Sequence, residues 1–203
     1  MTNPNMEKPA EPIALIDLDG TVADFDGAMK AELAAIRGPN EDAALDETDL
    51  YEGELPHMKM RRRLIKAKPG FWRNLKRLDA GFEILAMLDN LKFRCNILSK
   101  GPRRMPLAWQ EKVEWCVAHV PHMPIVLSED KGLVYGKVLV DDWPEYVERW
   151  ISWRPRGLVL AVAQPWNKDI EKFSPNVIRY TGDLQQQSMI IERLKVIRAD
   201  CED

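Results

Sequence analysis

Two aspartates, Asp17 and Asp19, end the apolar run Ile13-Ala14-Leu15-Ile16 and are followed at once by Gly20-Thr21. Residues i and i+2 of a strand face the same side, so both carboxylates leave the strand's carboxyl end together. Two adjacent acids repel each other unless a cation or a reaction uses them. Two more acids, Asp141 and Asp142, close a second apolar run, Val138-Leu139-Val140. A third run ends in Ser99-Lys100-Gly101-Pro102, with Lys112 on the segment that follows. Brought together, these four carboxylates call for a hard divalent cation with oxygen ligands, magnesium first among them. Ser99 and Lys112 have the opposite character, a hydroxyl and an ammonium able to hold the oxygens of a transferring phosphoryl group. Alone, a serine before a helix is usually a cap and a lysine usually lies on the surface; only the acidic set draws them into the same reading.

Periodicity supplies the elements that must position these groups. The run 13–17 reads as a strand, and Phe25, Ala28, Met29, Leu33 and Ile36 recur at helical spacing over 24–37. Gly38-Pro39-Asn40 ends that helix, 41–54 reads as an acidic loop or short helix, and 58–68 as a basic surface helix, pairing with that acidic segment in preference to binding phosphate. After Pro69-Gly70 helix and strand alternate: helix 80–91, strand 94–98, helix 107–119, strands 125–127 and 137–140, helix 144–153, strand 158–162 and a short edge strand 177–180. A closing helix over 183–198 would turn Leu184, Met189, Ile190, Leu194 and Ile197 inward. This alternation specifies an α/β fold, a Rossmann-like doubly wound parallel sheet, whose ligands bind outside the carboxyl ends of the strands. The stretch 24–71 interrupts it and reads as a small, mainly helical cap inserted after the first strand. Residues 1–12 read as a disordered lead-in and 13–203 as a single domain.

Composition narrows the function classes. The 203 residues are 45% hydrophobic and 30% charged, with a formal net charge of −3. That balance offers no bulk attraction to nucleic acid or an anionic membrane, so no stable nucleic-acid binding is expected and an anionic substrate must meet a local cluster of bases. Cys95, Cys116 and Cys201 are scattered and read as reduced thiols. No apolar run approaches signal-peptide or membrane-spanning length, which points to a soluble cytoplasmic protein. His119 and His122 have no third ligand nearby and read as a helix-end and loop pair. Trp109, Trp115, Trp150 and Trp153 fall on helices where core packing accounts for them, whereas Trp72 stands at the edge of the cap.

The order of these blocks resembles the haloacid dehalogenase-like superfamily of phosphatases. Asp17-Leu18-Asp19-Gly20-Thr21 matches its first motif, Ser99 the second, a lysine the third and Asp141-Asp142 the fourth. Within that superfamily the chain is similar to the 5'(3')-deoxyribonucleotidases, through Ala23-Asp24-Phe25, Glu111-Lys112-Val113-Glu114-Trp115 and Asp130-Lys131. It departs from them at Ser99-Lys100-Gly101, where the family has Thr-Ser-Pro, and the cap over 38–69 shows no match. The resemblance implies that Asp17 attacks phosphorus to form an aspartyl-phosphate and that Asp19 serves as acid and then base. It implies a magnesium ion held by Asp17, the carbonyl of Asp19 and one or both of Asp141 and Asp142. Ser99, Lys100 and Lys112 would bind phosphate, and Phe25, Trp72 and Lys131 would contact a nucleoside monophosphate, with Phe25 against the base. The alternatives are another phosphoester, such as a sugar phosphate or a nucleic-acid 3'-phosphate, and a nucleotide-binding protein without turnover, whose signature would be loss of Asp17 or Asp19. The reading leaves room for a homodimer.

Overall fold

Six short apolar runs pair in one sheet: β1 (Ile13–Ile16), β2 (Arg94–Ser99), β3 (Ile125–Leu127), β4 (Val138–Val140), β5 (Leu158–Val162) and β6 (Val177–Tyr180). The computed structural model describes residues 11–43 and 55–200. The strand order is β3-β2-β1-β4-β5-β6, with every neighbouring pair parallel. The order reverses at β1, so a crevice opens where the carboxyl ends of β1 and β4 diverge. Ile16 lies level with Ile97 on one side and Val140 on the other, which brings the residues after all three strands to one edge.

The helices are α1 (Phe25–Ala35), α2 (Pro56–Ala67), α3 (Asp79–Asn90), α4 (Pro106–His119), α5 (Pro144–Trp153) and α6 (Leu184–Ala199). Period-two alternation divides the strand side chains between two cores. Ala14, Ile16, Val138 and Val140 pack with Ile84 of α3, Trp115 of α4 and Ile190 and Leu194 of α6. Leu15, Leu139, Val159 and Ala161 pack with Val147 and Trp150 of α5. Helices thus cover both faces, as the sequence pattern predicts. Each Leu, Ile or Val side chain so buried contributes roughly 1.5–3 kcal/mol relative to exposure.

Two packing expectations need correction. Leu184 and Met189 of α6 are 76% and 46% exposed, because the buried stripe runs through Ile190 and Leu194, with Ile191 and Ile197 half-buried beside it. Met189 lies about 100° around the helix from Ile190, and Leu184 sits in the first turn. Trp153, the last residue of α5, is 74% exposed while Trp150, one turn earlier, is fully buried. The expected lead-in falls outside the described residues over 1–10, as do residues 44–54 of the acidic stretch and Cys201. Cys95 and Cys116 are buried free thiols.

The chain departs after Val22 and returns near Lys76, where the two segments form one antiparallel bridge, with Asp24 N donating to the Lys76 carbonyl (2.8 Å) and Leu78 N to the Val22 carbonyl (2.9 Å). Asp24 also caps α1, its carboxylate accepting from Gly27 N at 2.9 Å. Between β1 and α3, Arg61 of α2 pairs with Glu41 and Lys68 with Glu32, each at 2.7 Å. Among the described residues no helix is long and apolar enough to cross a membrane.

Candidate active site

The loop after β1 is shaped by its own backbone. Asp17 N extends the ladder to the Val140 carbonyl (2.8 Å), and the Leu18 carbonyl then accepts from Val22 N (3.0 Å) and Ala23 N (2.8 Å). Gly20 turns the chain with φ +74°, a region open to glycine and strained for other residues. Space excludes a side chain there as well: a Cβ on Gly20 would stand 2.6 Å from Asp142 Oδ2. From the other side Gly81 lets α3 close on the loop, where a Cβ would meet the Thr21 carbonyl at 1.9 Å. Gly20→Ala is therefore expected to cost about 1–3 kcal/mol in the loop and to displace Asp142. Combined thermal melts and turnover measurements check this; a variant with the parent's stability and rate would show that the turn is not under this constraint.

Asp17, Asp141 and Asp142 are buried together, each offering an oxygen within 4.8 Å of the other two. Lys131 bridges two of them, with Nζ 2.6 Å from Asp17 Oδ1 and 2.7 Å from Asp141 Oδ2. Asp141 Oδ1 also accepts from Trp143 N at 2.9 Å. Asp142 takes neutral donors, Thr21 Oγ1 on Oδ1 and Trp166 Nε1 on Oδ2, both at 3.0 Å. The Asp19 carboxylate stands outside this trio and pairs with Lys112 through Oδ2, while its Oδ1 is buried without a partner. The Lys112 ammonium is surrounded, since it also donates to Ser99 Oγ (3.2 Å) and the Lys100 carbonyl (2.7 Å).

Charge and burial together set the proton affinities. Burial lifts the Asp141 carboxyl to about 7 against the pull of Lys131, and burial followed by the Asp141 and Asp17 charges lifts Asp142 well up. Burial raises Asp19 too; Lys112 opposes the shift and Asp17 adds to it. Burial works against the Lys131 ammonium, but Asp141 and Asp17 more than compensate and hold it charged. Fully ionised, the four carboxylates would exceed the two buried ammonium groups by two negative charges. A divalent cation balances that excess, and the oxygen-only donor set fits a hard one.

Above these groups opens a cavity of about 380 Å³. Phe25 and Trp72 form one wall, stacked with ring centroids 5.2 Å apart and planes 26° from parallel. They are thus one surface, not two jaws. Lys66 of α2 and Lys100 reach the same cavity. Lys131, expected as a substrate contact, lines the floor among the acids, while Ser99 and Lys112 are buried behind it. Three further aromatic residues line the cavity: Trp143, Tyr146 and Trp166. Tyr146 has the Lys100 and Lys131 ammonium groups 5.1 and 4.7 Å from its ring centroid. Sequence reasoning singled out none of the three as site residues; for Trp143 and Tyr146 the only signal is adjacency to Asp141-Asp142.

Comparison with known proteins gives the family and the fold. The profile of the family described as "5' nucleotidase, deoxy (Pyrimidine), cytosolic type C protein" matches residues 11–190. A protein of Vibrio phage KVP40 named "Putative 5'(3')-deoxyribonucleotidase" is 28% identical over 142 residues, covering 67% of this chain and 69% of that protein. A Bordetella pertussis protein of the same name is 27% identical over 163 residues, covering 77% and 86%. In fold, the chain is similar to a crystal structure of a HAD family hydrolase from Deinococcus radiodurans with bound phosphate and sodium. That similarity has a TM-score of 0.53 at 13% identity, over 91% of this chain and 97% of the other.

Proposed function

Since the chain belongs to the family of 5' nucleotidases, deoxy (pyrimidine), cytosolic type C, and is a phosphoric monoester hydrolase of the haloacid dehalogenase type, we propose that it dephosphorylates nucleoside monophosphates, deoxyribonucleotides first, with magnesium and through an aspartyl-phosphate on Asp17. The observation that carries this is the juxtaposition of Asp17, gripped by Lys131, with an aromatic wall across one cavity.

The residues divide the work. Lys131 holds Asp17 Oδ1, so the other carboxylate oxygen forms the bond to phosphorus as the ester P–O bond breaks. Lys131 has two of its three N–H donors on carboxylates and lines the cavity, which suits the third to a phosphoryl oxygen. Lys112 already donates to three acceptors, so it orients Asp19 and Ser99, and binds phosphate only by exchanging one of them. Asp19, its carboxyl pKa raised by burial, carries a proton on Oδ1 to the departing alkoxide. Its carboxylate then takes a proton from the water that attacks the phosphoaspartate, returning Asp17 to its starting state. Magnesium would be held by Asp17, the Asp19 carbonyl and Asp142, Asp141 being committed to Lys131 and Trp143 N. When bound, it neutralises the acids and the phosphoryl oxygens.

Metal binding and stability are linked through the acids. Folded Asp141 and Asp142 hold protons that the unfolded chain has released, so stability without metal falls as pH rises from about 4 towards and beyond about 7. Cation binding at Asp142 needs that carboxylate bare and strengthens as it ionises. The rise in Tm on adding magnesium is accordingly expected to be larger near pH 8 than near about pH 5.5. An equal rise at both would separate the cation from Asp142.

The substrate class is tested by comparing mononucleotides, sugar phosphates and phosphorylated oligonucleotides as substrates. Stacking on an aromatic face is worth roughly 1–3 kcal/mol per base. Phe25→Ala should therefore lower kcat/KM for deoxyribonucleoside monophosphates by about one to two orders of magnitude and change hydrolysis of a small base-free phosphoester much less. Equal losses on both in a folded protein would make Phe25 a support of the catalytic loop, and a preference for sugar phosphates would remove the nucleotide reading.

A further inference from the structure

The turn after β5 carries no acid at its tip, yet it grips both acid-bearing loops. Gln164 Nε2 donates to the Gly20 carbonyl at 2.7 Å, which holds the loop after β1. Asn167 Nδ2 donates to the Asp142 carbonyl at 2.9 Å and to the Val162 carbonyl at 2.8 Å, and Trp166 Nε1 takes Asp142 Oδ2 at 3.0 Å. All three sit on or beside one 3₁₀ turn, Pro165–Asn167, whose ends are tied by Gln164 N donating to Asn167 Oδ1 at 2.9 Å. Arg179 of β6 anchors that turn, Nε donating to Asn167 Oδ1 and Nη2 to the Gln164 carbonyl, each at 3.0 Å.

We propose that Trp166 is a positioning residue for the divalent cation, presetting the Asp142 carboxylate through its indole N–H; this rests on the reading of Asp17 and Asp142 as metal ligands. Asp142 is buried beside Asp17 and Asp141, and once these acids are ionised repulsion favours turning its carboxylate away. Thr21 Oγ1 on one oxygen and the indole N–H on the other oppose that rotation and fix the carboxylate plane before a cation arrives. Each oxygen has more than one acceptor direction, so a donor on each leaves capacity for a ligand bond. Hydrogen-bond partners of ligating groups typically change metal affinity by about ten- to a hundredfold. Trp166 is also half-buried in the cavity wall, so a change of size there would touch substrate as well as metal.

The test titrates Mn²⁺ alone, without substrate, into the parent, Trp166→Phe and Asp142→Asn, following free Mn²⁺ by electron paramagnetic resonance. A fourth protein carries β-(3-benzothienyl)alanine at 166, which keeps the ring's shape and loses the N–H, so packing and hydrogen bonding are separated even if Trp166→Phe folds poorly. The expected result is a loss of tight binding in Asp142→Asn and about tenfold weaker binding in both Trp166 variants. In the benzothienyl protein kcat should recover at saturating metal while KM for the nucleotide stays near the parent's. Parental Mn²⁺ affinity in the benzothienyl protein, with binding still lost in Asp142→Asn, would overturn the role of Trp166 and leave the metal site standing. Parental affinity in Asp142→Asn would overturn the metal assignment, and the role of Trp166 with it.

Discussion

Asp17→Asn is expected to lose at least about four orders of magnitude in turnover while remaining folded. The amide keeps the shape of the side chain but not its nucleophilic oxygen or its charge, and it is a poor ligand for a hard cation. Its fold should survive because Asp17 carries one charge among three clustered acids, so removing it relieves repulsion even as it weakens the contact with Lys131. Circular dichroism with steady-state assays on a deoxyribonucleoside monophosphate checks both halves. Asp19→Asn should also be severe, but through lost proton transfer: substrates whose leaving groups need no proton should recover part of the rate in that variant and none in Asp17→Asn. A folded Asp17→Asn protein with near-parental activity would remove the mechanism altogether.

Lys131→Met is expected to destabilise the protein by about 3–5 kcal/mol, the range for removing one partner of a buried ion pair. Lys131 is 1% exposed and serves both Asp17 and Asp141, so its loss strands two buried carboxylates. Urea denaturation measures the effect, and its pH dependence has a definite sign. The stranded acids can take up protons in acid but not in alkali, so the deficit relative to the parent should be larger near about pH 8 than near about pH 5. Adding Asp141→Asn to Lys131→Met should recover part of the loss, because it removes one of the two unpaired charges. A loss below about 1 kcal/mol would mean that the pair behaves as a solvated surface contact.

Much of the site was legible because its residues stand where regular patterns end. Asp17 and Asp19 close an apolar strand and Asp141 and Asp142 close another, and a parallel sheet has only one edge at which strand ends can meet. The strands also had little choice: runs such as Leu158–Val162, buried at every position, do not suit a surface helix. The Phe25–Trp72 wall was foreshadowed residue by residue, but its stacked form depends on how the returning chain near Lys76 pairs with Asp24.

The missed features share a physical cause, which is reliance on partners far away in the chain. Trp166 meets Asp142 across 24 positions and Gln164 meets Gly20 across 144, from a Gln-Pro-Trp-Asn turn with no periodicity to mark it. Lys131 is named through the Asp130-Lys131 dipeptide as a substrate contact, but its two ion pairs exist only because the 3₁₀ turn Lys131–Leu133 folds back and buries it between two acids. The inward face of α6 was misjudged by apolarity alone: Met189 is as apolar as its neighbours, but Ile190 and Leu194 fix the stripe that meets the sheet.

The most direct measurement is a rapid acid quench of the protein while it turns over a deoxyribonucleoside monophosphate in magnesium, followed by peptide mapping by mass spectrometry. Acid preserves an acyl phosphate, and phosphate is expected on Asp17 in the peptide containing Ile16-Asp17-Leu18-Asp19, released by hydroxylamine and absent from Asp17→Asn. Sustained turnover with no phosphate on Asp17 at any quench time, or with the label on another residue, would contradict it.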